Sequence, residues 1–162
     1  MKNYFQRSEE HPYHISVGAV LINEKEEVCT HYFKNFFHPA VGQLNDFYNL
    51  MRETVEPNET LEQALARGLM EEFGATGNLK SFLGSIVAKT PQEDYIFEKT
   101  TLYFLYELVE IDPSKCSKAD KEIGSEIRWV PIKELIPIMK DQKVRLKRED
   151  FDESLILERI IN

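Results

Sequence analysis

The residues whose type and spacing could do chemistry are two adjacent carboxylates, Glu71 and Glu72, near the end of an amphipathic stretch. Leu61, Leu65, Leu69 and Phe73 recur four apart and form one apolar stripe of a helix. At about 100° per residue, Glu72 falls inside that stripe, and Glu71 lies at its edge beside Ala64 and Gly68. A carboxylate on the buried side of a helix is costly unless a cation or hydrogen-bond donors satisfy it. Two in succession call for a shared positive partner, either Arg67 or a bound metal. Positions 68, 71 and 72 share one helix face, where carboxylates would suit a hard divalent cation. Mg²⁺ takes a few carboxylates plus water and substrate phosphates in preference to an all-protein cage. Gly68 leaves two of the three positions acidic. The plain alternative is a solvated acidic pair near a helix end, with Gly68 marking close packing at a cost of about 1 kcal/mol against alanine.

The helix that positions these groups is delimited by its own sequence. Thr60 and Gln63 form a capping box that starts it near Leu61. Gly74, just past Phe73, is a C-terminal stop. Upstream, 52–60 is turn-rich, and 47–50 reads as a short strand leading into it.

This segment resembles the box of the pyrophosphate-cleaving Nudix hydrolases, G-x5-E-x7-R-E-U-x-E-E-x-G-U with U a bulky aliphatic residue. Glu59, Arg67, Leu69, Glu71, Glu72 and Gly74 match at the required spacing, and Ala75 is a small version of the last position. Two positions of the 53–75 box depart: Glu53 stands for the opening glycine and Gly68 for the first glutamate of the triplet. Arg52 replaces the glycine usual before the box.

The resemblance implies an α/β fold, an α/β/α sandwich around a mixed central β-sheet. It implies cleavage of a nucleoside diphosphate derivative at its pyrophosphate linkage with Mg²⁺ or Mn²⁺. Glu71 and Glu72 would hold the metal, Arg67 would hold the carboxylates in place, and all three would be catalytic. Because Glu53 and Gly68 leave the carboxylate count unchanged, Glu53 is a candidate replacement ligand, reaching the space that Gly68 leaves. A further carboxylate outside the box usually serves as base or extra ligand; Glu122 and Glu126 are the candidates, with Glu98 and Glu107 as others. Glu59 suits a helix start whatever its role. Phe47 and Tyr48 stand where they could stack on a nucleobase or simply pack, and Trp129 reads as core. Two other classes stay open: a Nudix-fold nucleotide-binding or regulatory module with impaired catalysis, and a non-hydrolytic member such as an isomerase.

The rest of the chain fits this frame. It has 162 residues, 42% hydrophobic and 30% charged, which suits one domain with a real core. Its net charge of −8 argues against a protein held on nucleic acid by phosphate contacts. Two cysteines make no disulfide framework, no run approaches the about 18 apolar residues of a membrane span, and 1–10 is too polar for a signal peptide. A cytoplasmic protein is expected, with a small-molecule partner; family members are often homodimers, and the sequence leaves that open.

In order, 15–22 reads as a buried strand, 28–33 as the second half of a hairpin, 79–90 and 95–110 as long strands, and 126–131 as the last strand. The imperfect alternation of 95–110 suggests cover on both faces. Helices are expected at 132–139, despite Pro137, and at 149–160. The core spans about 15–139, with a helical tail over about 140–162. His31 and His38, in an aromatic-rich stretch, read as ordinary loop and strand residues, not ligands.

Overall fold

The computed structural model describes residues 12–38, 42–91, 93–117, 124–148 and 152–162. In chain order the elements are β1 (Tyr13–Ile22), β2 (Glu27–His38), β3 (Gly42–Asn49), β4 (Met51–Thr54), α1 (Leu61–Phe73), β5 (Ala75–Pro91), β6 (Ile96–Ile111), β7 (Glu126–Pro131), α2 (Ile132–Leu146) and α3 (Ser154–Ile161). A short 3-10 turn at Pro113–Lys115 follows β6.

The strands form one mixed sheet ordered β3-β2-β1-β6-β5, with β4 paired to β1 and β7 to β2. β1 and β6 run parallel, and every other pairing is antiparallel. β1 is a nearly unbroken apolar run because both of its faces are covered. Val17, Ala19 and Leu21 pack with Cys29, Met51, Leu65, Leu69 and Phe73 beneath α1. Val20 packs on the other side with Val28, Leu50, Tyr103, Ile132, Leu135, Ile156 and Leu157, beneath α2 and α3. The architecture is an α/β/α sandwich. No described helix is long and apolar enough to cross a membrane.

Four expectations change. The strand foreseen at 47–50 is two strands, because the chain changes partner at Leu50: β3 pairs with β2 and β4 with β1. The Leu50 N–H, outside either ladder, donates to Glu153 Oε2 at 3.2 Å. β2 runs on to His38 because β3 pairs with that half. α2 continues through Pro137 to Leu146, with the proline on its exposed side. β6 is not covered along its length: Tyr103 and Tyr106 are buried, but Ile96 and Val109, near its two ends, are exposed. The terminal helix is α3, and 149–151 of its expected span lie outside the described residues.

Candidate functional site

Both ends of α1 are fixed as its sequence requires. Gln63 N–H donates to Thr60 Oγ1 at 3.2 Å, and Thr60 N–H donates back to Gln63 Oε1 at 2.8 Å. At the other end Gly74 has φ 63°, and its N–H donates to Met70 O at 2.9 Å. A Cβ there would lie 2.1 Å from Asp112 O, so only glycine fits. With both ends pinned, positions 67, 71 and 72 are set to within a side-chain rotation.

Arg67 gathers three carboxylates. Its Nε and Nη2 donate to the two oxygens of Glu59, each at 2.9 Å, in a bidentate fork. Nη2 also donates to Thr54 O at 2.9 Å. Nη1 lies 3.3 Å from Glu53 Oε1 and 3.4 Å from Glu71 Oε2. The bond from Arg67 holds the Glu59 carboxyl below the usual range against the opposing effect of burial. Glu59 in turn, followed by Glu53, raises the guanidinium further above its ordinary value. Glu71 is the most open of the three, its side chain 42% exposed against 13% for Glu59 and 19% for Glu53.

Glu53 reaches this cluster through β4. It stands opposite Val17 of β1, on the face covered by α1. Gly68 is the helix residue it meets: a Cβ at 68 would lie 3.0 Å from Glu53 Cβ and 2.8 Å from Met51 Sδ. The stem of Glu53 and the Met51 thioether therefore take up the room that a side chain at 68 would need.

Glu72 is not part of the Arg67 cluster. It is buried, with Oε2 2.7 Å from His31 Nε2, and His31 Nδ1 lies 3.0 Å from Ser125 Oγ. The expectation of one shared positive partner for the acidic pair is thus corrected. The helix turns Glu71 outward to Arg67 and Glu72 inward to β2. His31 and Ser125 were missed by sequence reasoning, although His31 shares strand parity with Cys29 and Phe33, which are buried.

The NUDIX domain family model matches residues 12–152, nearly the whole described chain. The chain belongs to the Nudix family. Among solved structures it is similar to a NUDIX hydrolase from Nitrosomonas europaea, with TM-score 0.57 and 16% identity, covering 91% of this chain and 85% of that one. It is also similar to the MutT protein from Methanosarcina mazei Go1, with TM-score 0.53 and 23% identity, covering 93% of this chain and 98% of that one. At such identities the likeness shows the fold. No curated protein matches the sequence.

The remaining candidates of this Nudix chain scatter. Glu126 lies on the α2 face of the sheet, 3.0 Å from Arg128 and 65% exposed, so the sheet stands between it and Glu71. Glu122 lies outside the described residues. Glu98 pairs with Lys89 at 3.4 Å and Glu107 with Lys80 at 3.0 Å. Phe47 is fully buried and stacked on Phe36, with 4.4 Å between centroids, which leaves it no open face for a ligand ring. Tyr48 lines an open groove of about 530 Å³ with Asp46, Pro137, Ile138, Asp141 and Arg145. Trp129 packs against the α1-side core.

The family generally uses divalent metals, and the donor set here is compatible with one. Among the described residues no three His, Cys, Asp or Glu side chains form a preformed cage. Glu53 and Glu71 nevertheless converge on one guanidinium nitrogen. Hard oxygen donors, few in number, with room left for water and phosphate are the kind of site Mg²⁺ accepts.

Proposed function

We propose that this Nudix chain is a hydrolase of the pyrophosphate linkage in a nucleoside diphosphate derivative, working with Mg²⁺ or Mn²⁺. The observation that carries the reading is the convergence of Glu53 and Glu71 on Arg67 beside Gly68. Glu53 supplies from the strand a carboxylate that the helix lacks at 68. Three carboxylates around one guanidinium leave the cluster net negative, so it attracts a cation to a chain whose overall charge of −8 would repel a bare diphosphate. Glu53 and Glu71 would hold the ion, and Glu72 would reach it from the next position of the same helix turn. When bound, the ion neutralises the diphosphate and activates the attacking water. Arg67 keeps Glu53, Glu59 and Glu71 oriented through fixed charge-assisted bonds. Tyr48, whose groove with Pro137 and Arg145 opens on the α2 face, lies across the sheet from this cluster and is not placed to stack on the base of a substrate bound there.

The test is turnover of a panel of nucleoside diphosphate derivatives with Mg²⁺ or Mn²⁺, followed by release of nucleoside monophosphate. Metal-dependent release is expected, and it should vanish with chelator. The glycine at 68 favours one competing reading, a nucleotide-binding module with impaired catalysis. Tight nucleotide binding with no product across the panel would establish that reading in place of hydrolysis.

A further inference from the structure

Resting on that reading of the acidic site, we propose that His31, steadied by Ser125, is the positioning residue that fixes Glu72 for the divalent ion. His31 comes from β2, Glu72 from α1, and the half-buried Ser125 from the residue just before β7. Glu72 and His31 are 4% and 2% exposed. A carboxylate accepts only, so the hydrogen on the 2.7 Å contact belongs to His31 Nε2. Ser125 Oγ, 3.0 Å from Nδ1, holds the opposite edge of the ring. The ring is held from its flank as well: its centroid is 4.7 Å from that of Phe73 and 6.4 Å from that of Phe33. His31 therefore sets both the plane and the rotamer of the carboxylate next to Glu71, as hydrogen-bonded outer groups do for metal-binding side chains.

The experiment measures Mn²⁺ affinity of the whole chain by electron paramagnetic resonance, with thermal unfolding of the metal-free protein alongside. His31→Leu removes the donor and should weaken Mn²⁺ about tenfold or more. His31→Gln can present an amide N–H at nearly the same reach and should recover most of that loss. Ser125→Ala, which leaves the pair buried, should weaken Mn²⁺ by a smaller factor and guards against a leucine variant that fails to fold. In a Glu72→Gln background the His31→Leu change should have no further effect on the ion. If the His31 and Ser125 variants lose thermal stability but bind Mn²⁺ like the parent, the contact is structural and the inference is overturned. A parent that binds no Mn²⁺ overturns the inference together with the hydrolase reading. A parent that binds Mn²⁺ while the variants do too overturns the inference alone.

Discussion

Positions 53 and 68 act as one steric unit. The Cβ of Glu53 occupies the approach to Gly68, and Met51, fully buried, closes the other side. A glutamate placed at 68 must push Glu53 and the thioether away, an overpacking that costs about 1–3 kcal/mol. Removing the side chain at 53 relieves half of that conflict. The expected outcome is that Gly68→Glu destabilises the chain in urea by about 2 kcal/mol, and that Glu53→Gly in the same chain restores a large part of the loss. Equal damage in both backgrounds would show that the two positions do not compete. Turnover should follow the same exchange if Glu53 holds the ion: Glu53→Gly alone abolishes it, and adding Gly68→Glu returns it. A Glu53→Gly chain that keeps full turnover would remove Glu53 from the ligand set.

At the scale of elements, the box helix was legible in the sequence and its surroundings were not. The capping box, the four-residue stripe and Gly74 are local signals, and α1 starts and stops where they say. The burial of Glu72 follows from the same periodicity. Its partner does not, because His31 is distant in sequence and nothing local marks β2 as the strand that supplies it. The break between β3 and β4 was hidden for a similar reason: Leu50 is an apolar residue among apolar residues, and the change of partner depends on Glu153 far along the chain. Glu153 shows how the tail serves the box. Tyr103 donates to its Oε1 at 2.5 Å, Leu50 N–H to its Oε2, and Arg52 Nε lies 3.7 Å from Oε1. Burial, then the neighbouring carboxylate, pushes the Tyr103 hydroxyl well above its usual range, so it remains a donor. Glu153 itself is buried. Glu153→Ala strands these donors beneath α3 and should cost about 2–4 kcal/mol in denaturant. With Tyr103→Phe already present, the same change should cost measurably less, because one stranded donor is gone. Strict additivity of the two changes would mean that the hydroxyl and carboxylate do not depend on each other.

For the whole molecule, the balance of charge decides how stability responds to acid. The chain carries −8 at pH 7 with a pI near 5.1, so lowering pH toward 5 reduces self-repulsion and should stabilise it slightly. Below that, two carboxylates on opposite faces of the sheet work the other way. Glu59 is held down by Arg67 under α1. Asp152 is pushed up by burial, but bonds from Ser154 and from Lys143, 3.0 Å away, more than offset this and leave it lowered. A carboxyl whose pKa is lower folded than unfolded stabilises the fold fully above its unfolded value, about 4 for these residue types. That contribution disappears as pH falls through the lower, folded value. The urea midpoint should therefore peak near pH 5 and fall below about 4. Glu59→Gln isolates one share of this. Gln keeps an acceptor but loses the charge and the fork, so at pH 7 the variant should be about 1–2 kcal/mol less stable than the parent. As the parent's Glu59 takes up its proton the two become alike, and the gap should narrow steadily as pH falls below about 4. A gap that stays constant across that range would mean that Glu59 contributes by packing, and that the charge on Arg67 is satisfied without it.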